Sequence, residues 1–295
     1  MTTIPAAELE DLAAAALRAS GLPAAGSAAV ARVDGRNGIG PLVGMHALRA
    51  ATAGARSAGI GAAFARGSNH FGPVMPYLFL AAQDGFAAFV ASNATTTIAP
   101  WGGREARLGN NPLGLGVPNP GGDPILLDVA ISVVARAKIR AADRAGEEIP
   151  DTWATDRDGV PTTDPRAALD GFLLPVGGHK GYGLALMVDL FAGVLSGAGY
   201  LTRISSWSED PERPRDLGHV FVLIDAARLL GDGALGERVG DFAEILHGTP
   251  PADPDVPVQV PGERELAAYR AGLRDGIDLP GDDVAALRAL AGAAA

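Results

Sequence analysis

The sequence predicts a chain of mixed α/β or α+β class, and two kinds of segment indicate this class. Apolar residues recur at helical spacing in the segments 42–58 and 76–83. Helices and strands alternate irregularly, and no internal repeat is present, so no repeat architecture is predicted. The short apolar runs that are typical of strands lie at 59–65, 86–91, 125–127, 132–134 and 219–225.

The remaining elements are predicted from composition and from helix-end signals. The segment 6–20 is rich in alanine and leucine and has acidic residues near its start, where the helix dipole favours them. The segment 182–195 is long and mostly apolar, so we expect a helix that is buried on most of its faces. Two further helices are expected around Arg238 and Glu265, and the segment 147–165 is expected to form surface turns.

Length and composition restrict the possible functions. With 295 residues, of which 47% are hydrophobic, the chain can bury a large core in one or two domains. It has no cysteine, which excludes disulfides and thiolate chemistry and suits the reducing cytoplasm, where we expect the protein. The net charge of −10 argues against a nucleic-acid partner, although a local basic pocket can still bind an anionic substrate. No metal site is expected.

Two segments bear on export and membrane insertion. Residues 1–10 contain two glutamates and no basic start, so no secretory leader is expected. The apolar stretch 183–199 is interrupted by Asp189 and by glycines, so no membrane span is expected.

A histidine follows the apolar run 59–65 on a loop of small and polar residues, Arg66-Gly67-Ser68-Asn69-His70-Phe71-Gly72. An apolar run that stops at such residues is typical of a buried strand that ends in a loop. A histidine there is held by a rigid scaffold, can be reached by a small molecule and titrates near neutral pH. His70 is therefore the candidate acid or base. The alternative is a histidine that only bonds to its own loop.

Two glycine-rich motifs are candidates for anion binding. Gly177-Gly178-His179-Lys180-Gly181 directly precedes the predicted helix at 182. Backbone N–H groups at a helix start, with a lysine beside them, suit a pyrophosphate or a carboxylate, and an ordinary helix entry with a solvated lysine is the alternative. The motif at 38–44 is not a dinucleotide fingerprint, because no apolar strand precedes it and its third glycine comes one residue late.

Side-chain amides and a carboxylate complete the list of polar candidates. Asn110 and Asn111 precede Pro112, which favours an extended conformation of Asn111. Such amides can hold a carboxylate or a carboxamide, or they can stabilise a turn. Asp128 follows the apolar run 125–127 and could bind ribose hydroxyls at the end of a strand.

The ordered combination of these blocks resembles the malate/L-lactate dehydrogenase family, which lacks a Rossmann fold. The resemblance runs from about Asp34 to the C-terminus and rests on the blocks at 68–72, 100–103, 108–112, 127–130 and 174–183. It implies an α/β fold with a mixed, largely antiparallel central sheet. It also implies a homodimer that transfers a hydride between NAD or NADP and a small 2-oxo acid, 2-hydroxy acid or cyclic imine.

The motifs and the resemblance together give a set of candidate site residues, in which His70 is the expected catalytic residue. The expected cofactor-binding residues are Asp128, Val129, Ala130, Ser132, His179, Lys180, Gly181, Pro261, Gly262 and Glu263. The expected substrate-binding residues are Ser68, Asn69, Asn110 and Asn111.

One motif of the family is missing. Its members usually carry a Ser-His-Gly motif, followed by an arginine and a tyrosine, before the Asp-Gly segment, and these residues are taken to handle the substrate. Here that region is several dozen residues shorter, and Arg32, Arg36 and His46 are the polar candidates nearby. A cyclic imine needs less help than a ketone, so His70 could act alone.

The sequence therefore predicts an NAD(P)H-dependent oxidoreductase. The alternative, after loss of the Ser-His-Gly motif, is a non-redox biosynthetic enzyme or a catalytically inactive binding subunit that reuses the fold. For the domain organisation we expect a cofactor-binding core at 41–199. A helical part formed by 1–40 and 200–295 is expected to serve dimerisation.

Overall fold

The computed structural model describes residues 2–4, 24–26, 28–206 and 210–293. Its strands are β1 (Thr2–Ile4), β2 (Ala24–Gly26), β3 (Val30–Asp34), β4 (Ile60–Ser68), β5 (Phe86–Ser92), β6 (Thr96–Ile98), β7 (Leu108–Gly109), β8 (Leu113–Val117), β9 (Ile125–Val129), β10 (Ala154–Thr155), β11 (Phe172–Leu173), β12 (Leu217–Asp225) and β13 (Ile277–Leu279). Its helices are α1 (Gly40–Ala58), α2 (Met75–Gln83), α3 (Arg136–Ala145), α4 (Pro165–Asp170), α5 (His179–Asp189), α6 (Ala227–Leu230), α7 (Asp232–His247), α8 (Glu263–Asp275) and α9 (Gly281–Ala293). A π-helical turn at Leu190–Val194 continues α5, and a 3₁₀ turn lies at Leu201–Arg203.

A seven-stranded sheet in the order β2-β3-β4-β12-β5-β8-β9 forms the centre of the fold. In this sheet β3 and β4 run parallel, and every other neighbouring pair is antiparallel. The predicted α/β fold with a mixed, largely antiparallel central sheet is therefore confirmed. Separate two-stranded sheets pair β1 with β13, β6 with β7 and β10 with β11.

Helices α1 and α2 pack on one face of the main sheet and form the larger core. A Cβ on Gly61 of β4 would lie 2.0 Å from the carbonyl oxygen of Ala51 in α1, so glycine is required for this close approach. The apolar stripes of α1 and α2 face the strands, and burial of these stripes stabilises the helices at this place. Its members include Val43, Ala47, Leu48, Tyr77, Leu78, Val90, Phe221 and Leu223.

Helix α5 and the π-helical turn cover the opposite face, where Val188 and Ala192 pack with Val220 of β12. The prediction of a helix at 182–195 is confirmed. The expectation that most of its faces are buried is wrong for the single chain, because no element among the described residues covers the side turned away from the sheet. The apolar side chains exposed there, by 39–60%, are Leu184, Met187, Leu190, Phe191, Val194 and Leu195.

A second core joins α3, α4 and α5 to the short strand pairs β6–β7 and β10–β11. It fixes the segment that leads into α5, and it therefore matters for the site described below. Its members include Ile98, Leu108, Ile131, Ile139, Leu173 and Ala185.

Most of the predicted elements are present. The strand expected at 132–134 is wrong: Ser132 forms an isolated bridge with Pro175, and its hydroxyl donates to the carbonyl oxygen of Val134 at 2.9 Å, which stabilises a turn. The helix expected at 6–20 lies outside the described residues. The confirmed predictions are the helices at 42–58, at 76–83 and around 238 and 265, and the strands at 59–65, 86–91, 125–127 and 219–225.

The main sheet takes strands from both parts of the division expected from the sequence. β12, from the 200–295 part, pairs with β4 and β5 of the 41–199 part, and β3 pairs with β4. The sheet thus crosses the expected boundaries at 40 and 199. Over the described ranges, no helix is long and apolar enough to cross a membrane, and no group of three or more His, Cys, Asp or Glu residues could hold a metal ion.

Candidate active site

Most of the predicted site residues lie near the ends of the strands on one side of the main sheet. We call this row of strand ends an edge of the sheet. The strands β4, β5 and β9 end at this edge, whereas β8 and β12 begin there. From β4 to β9 there are four interstrand steps, so the edge is about 19 Å long. The strands end along this edge at Ser68, Ser92 and Val129 and begin there at Leu113 and Leu217, and His219 is the third residue of β12.

His70 lies just after β4, and its side chain is exposed. We call the segment 66–72, which comprises the last three residues of β4 and the four residues after it, the histidine loop. The backbone N–H of Gly72 donates to Nδ1 of His70 at 2.8 Å. A ring nitrogen that accepts a hydrogen bond carries no proton, so this contact selects the neutral tautomer with its proton on Nε2. Nε2 is therefore the nitrogen that can meet a substrate.

The two residues before His70 have partners inside the protein. Ser68 is fully buried, and its Oγ lies 2.7 Å from Nε2 of His219. The hydroxyl of Ser68, a predicted substrate-binding residue, therefore contacts a buried imidazole in this structure. The amide of Asn69 donates to the carbonyl oxygen of Gly38 at 2.9 Å, which ties the histidine loop to the loop before α1.

The side-chain amide of Asn111 is buried and forms hydrogen bonds within the protein, whereas that of Asn110 is accessible. Asn111 is fully buried; its Nδ2 donates to the carbonyl oxygen of Ala185 (2.8 Å), and its Oδ1 accepts from the N–H of Ala94 (3.0 Å). These bonds hold Asn111 at φ +30°, so the extended conformation expected before Pro112 is wrong. Both ends of this amide are occupied, which fits the turn-stabilising alternative. Asn110 is half-buried, and in the described part of the chain its side chain forms no hydrogen bond.

The carboxylate of Asp128, at the end of β9, lies at the start of α2. Its Oδ2 accepts from the N–H of Met75 at 2.8 Å. Burial raises the pKa of Asp128, and backbone hydrogen bonds from Met75 and Val74 oppose that increase. Asp128 also lines a cavity of ≈ 270 Å³ together with Pro261 and Gly262. Two predicted cofactor-binding segments, far apart in the sequence, are therefore neighbours.

The segment 260–263 crosses β9 at close range. The N–H of Leu126 donates to the carbonyl oxygen of Pro261 at 2.9 Å. Gly262 has φ +102°, and a Cβ there would lie 3.1 Å from Leu126, so a glycine is required at this crossing. The carboxylate of Glu263 pairs with His247 at 2.7 Å. Glu263 thus fixes this segment to the end of α7.

Backbone hydrogen bonds place the glycine-rich helix entry beside the end of β9. The N–H of Ile131 donates to the carbonyl oxygen of Asn110 (2.8 Å), and the N–H of Val176 donates to that of Ile131 (2.9 Å). Ser132 therefore lies next to the segment that leads into α5. Since Lys180 in the first turn of α5 is exposed, the blocks containing Asn110, Ser132 and Lys180 meet in one region.

His179 and Gly181, on either side of Lys180, are held in place by packing contacts. The ring of Trp101 meets that of His179 edge to face, with centroids 5.8 Å apart. A Cβ on Gly181 would lie 2.0 Å from the carbonyl oxygen of Val176, so α5 begins in direct contact with the preceding segment. His179 and Gly181 are held by these contacts, and Lys180 is the charged side chain at the helix start.

Sequence reasoning missed His219, which is fully buried near the start of β12. Its Nδ1 lies 2.8 Å from Oγ of Ser92, and its Nε2 contacts Ser68 as described. Burial lowers the pKa of His219 to about 3. The sequence carries no signal for these contacts, because the two serines are 127 and 151 residues away along the chain.

Residues 23–288 match the malate/L-lactate dehydrogenase family, and the chain therefore belongs to this family. The members of the family that it matches are dehydrogenases and reductases, so the protein is an oxidoreductase. The resemblance inferred from the sequence motifs, and the class of enzyme that it implied, are confirmed.

Three relatives show how far the similarity extends. The chain is 39% identical over 263 residues to the Delta(1)-pyrroline-2-carboxylate reductase of Ancylobacter novellus, covering 89% of this chain and 76% of the relative. It is 37% identical over 263 residues to the (2R)-3-sulfolactate dehydrogenase (NADP(+)) of Chromohalobacter salexigens, with the same coverage. The crystal structure of a dehydrogenase from Sinorhizobium meliloti covers 98% of both chains with a TM-score of 0.79 and 31% identity. None of these similarities favours a non-redox enzyme or an inactive subunit.

Proposed function

We propose that this chain is an NAD(P)-dependent oxidoreductase that acts on a small 2-oxo acid, a 2-hydroxy acid or a cyclic imine. The observation that carries the proposal is that the histidine loop leads into α2, whose first N–H group bonds to Asp128 at the end of β9, and that the entry of α5 lies beside the same strand end. Two relatives, a pyrroline-carboxylate reductase and an NADP(+)-dependent sulfolactate dehydrogenase, support the substrate class and the cofactor.

The residues at this edge fit a nicotinamide cofactor. Asp128, Pro261 and Gly262 line one cavity, and Lys180 adds a positive charge at the start of α5, where backbone N–H groups favour an anion. When bound, the cofactor supplies or accepts a hydride at the substrate carbon. The other residues that would contact it are Val129, Ala130, Ser132, His179 and Gly181, while Glu263 would hold the segment 260–263 in place.

His70 would exchange the proton that accompanies the hydride. Because Gly72 occupies Nδ1, the Nε2–H group is the one that donates to the oxo oxygen or the imine nitrogen as negative charge develops there. Proton transfer from Nε2 would be coupled to the uptake of a solvent proton at Nδ1, which releases the Gly72 N–H, so that the ring stays neutral and no imidazolate forms. The exposure of the ring supports this exchange with solvent.

Arg36 and Asn110 are the groups that we expect to hold the substrate. Arg36 has φ +49°, and its N–H donates to Oδ1 of Asp34 at 3.1 Å. The next residue, Asn37, donates from its N–H to the carbonyl oxygen of Gly67 at 2.7 Å, so Arg36 lies beside the histidine loop. Its guanidinium would bind the substrate carboxylate in place of the arginine that the missing family motif supplies.

The protein would act as a homodimer, with the exposed apolar side of α5 and the π-helical turn in the interface. Leu184, Met187, Phe191 and Val194 recur at intervals of three or four residues and so share one face. An exposed apolar face of this kind is typical of an interaction site, and a second copy of the chain is the occupant that the family resemblance implies. The cysteine-free composition supports a cytoplasmic location.

The test is the oxidation of NADH and NADPH, followed by absorbance, with a panel of 2-oxo acids and cyclic imines. We expect turnover of at least one member of the panel by the purified protein. Calorimetry of the same sample measures cofactor binding directly. If neither nucleotide binds at about millimolar concentration, an affinity that corresponds to roughly 4 kcal/mol, the proposal is wrong.

A further inference from the structure

We propose that His219 is a positioning residue that holds the histidine loop in its working geometry. The inference rests on the catalytic role proposed above for His70. His219 itself touches neither cofactor nor substrate, because its side chain is fully buried. It acts through Ser68 and Phe71, which precede Asn69 and follow His70 in the chain.

The first contact is a directed hydrogen bond to Ser68. The hydroxyl of Ser92 donates to the carbonyl oxygen of Asn93 at 2.9 Å and accepts from His219, which places the ring proton on Nδ1. The opposite tautomer would need the Ser68 hydroxyl to donate to the carbonyl oxygen of Asn69, which lies 3.3 Å away, so the first assignment has the shorter bonds. Nε2 of His219 is then an acceptor, and the Ser68 hydroxyl donates to it at 2.7 Å. Ser92 in β5 thus sets the tautomer that receives Ser68 at the end of β4.

The second contact is a ring stack on Phe71. The rings of His219 and Phe71 are nearly parallel, inclined by 5°, with centroids 4.3 Å apart. Phe71 also stacks on Tyr77 of α2 with centroids 5.0 Å apart. Burial raises the pKa of Tyr77, and its protonated hydroxyl donates to the carbonyl oxygen of Phe71 at 2.7 Å. One imidazole therefore fixes both Ser68 and Phe71, one residue before Asn69 and one residue after His70.

This arrangement requires a ring that stays neutral while the enzyme works. Burial keeps the pKa of His219 at about 3, so the acceptor at Nε2 persists at neutral pH. Small displacements of a reacting group are costly, since a misplacement of about 1 Å can lower turnover by about 100-fold. A fixed loop is therefore a direct contribution to the rate.

A matched pair of variants separates positioning from simple stability. In His219→Gln the side-chain amide reaches the place of Nε2 and keeps the bond to Ser68. In His219→Asn the amide reaches the place of Nδ1 and keeps the bond to Ser92 instead. Each variant loses the stack and one hydrogen bond, so both should be destabilised by similar amounts in thermal unfolding.

The readouts are the ring signals of His70 in nuclear magnetic resonance, identified by their loss in His70→Asn, and steady-state kinetics. We expect His219→Asn to shift the His70 signals away from the Nε2–H tautomer and to lower kcat by about 10- to 100-fold, with KM changed by less than about threefold. We expect His219→Gln to retain most of the wild-type signals and turnover. Should His219→Asn fail to fold, Ser68→Ala removes the same bond and should show the same loss.

The proposal is overturned if the His70 signals in both His219 variants match the wild type, or if the two variants lose turnover in equal measure. Shifted His70 signals without a change in kcat would support the positioning of the loop. The same outcome would contradict the proposed catalytic role of His70. Failure of the positioning proposal and failure of the catalytic proposal therefore give different results.

Discussion

The imidazole of His219 lies between two strand-end serines, with Nε2 2.7 Å from Oγ of Ser68 and Nδ1 2.8 Å from Oγ of Ser92. These contacts satisfy a neutral ring, in which one nitrogen donates and the other accepts. A second ring proton would turn the Ser68 hydroxyl from Nε2 to the more distant carbonyl oxygen of Asn69, at 3.3 Å, and would place a charge in the core. The consequence is a predictable dependence of stability on pH.

Stability is expected to fall as the solution is acidified below the ordinary pKa of histidine, 6.5. In the folded protein, burial lowers the pKa of His219 to about 3. Between the two values only the unfolded chain binds the proton, so acid favours unfolding by up to ~1.4 kcal/mol per pH unit. Urea unfolding at a series of pH values between these limits measures the slope.

His219→Gln is the reference for this measurement, because it lacks the titrating ring. Its free energy of unfolding should depend less steeply on pH than that of the wild type. The buried carboxylates Asp128 and Asp189, whose pKa values burial raises, contribute with the opposite sign. They are present in both proteins and cancel from the difference. Equal slopes would show that the pKa of His219 is the same in the folded and the unfolded protein, which would contradict the prediction.

His70→Asn should lower kcat by about 10²- to 10⁴-fold, because the variant keeps a polar side chain but cannot exchange a proton. Folding and cofactor affinity should be unchanged, since the ring is exposed. His46→Asn, on α1, is the matched control and should turn over at the wild-type rate. If His70→Asn keeps more than about a tenth of the wild-type kcat, His70 only stabilises its own loop.

Lys180→Ala should weaken the binding of NADH or NADPH by about 1–3 kcal/mol, the scale of a lost charged hydrogen bond. The melting temperature without ligand should stay the same, because the side chain is exposed. Titration calorimetry measures the affinity. Lys138→Ala, an exposed position on α3, removes the other lysine of the chain and should bind as the wild type does. Equal affinities of the two variants would refute the role of Lys180.

Arg36→Ala should raise KM for carboxylate substrates by about 10- to 100-fold, because a charge-assisted hydrogen bond contributes about 1.5–3 kcal/mol. Arg32→Ala is the control: Arg32 is exposed in the interior of β3, in register with Phe64, away from the histidine loop. Initial rates over a range of substrate concentrations separate KM from kcat. An unchanged KM in Arg36→Ala would mean that another group binds the carboxylate.

Met187→Asp should convert the proposed dimer to a monomer, since it places a charge in the apolar face of α5. Met187 is 48% exposed in the single chain, so the monomer can tolerate the change. Sedimentation or light scattering measures the mass. Leu229→Asp, at an apolar position on α6 that is 71% exposed, should leave the mass of the wild type unchanged. A wild type that is itself monomeric would contradict the interface.

The sequence predicted the elements better than the contacts between them. Strands such as 219–225 follow from their apolar runs, and Lys180 at the start of α5 follows from the glycines before it. The role of Asn111 was open, because a buried amide and a ligand-binding amide have the same sequence pattern. The contact of Ser68 could not be predicted either, because its partner, His219, reaches it through the pairing of β12 with β4. Such long-range pairing leaves no local signal.

The place of β12 in the sheet also has a consequence for how the protein is made. During synthesis β4 and β5 emerge early, yet the strand that belongs between them comes only at residues 217–225. Until then each of the two strands has one open, aggregation-prone edge on the nascent chain. The same strand carries the imidazole that anchors Ser68. A ribosome that stalls before residue 217 thus releases a product with exposed strand edges and no ordered reaction loop, which makes it a substrate for chaperones rather than a partly active enzyme.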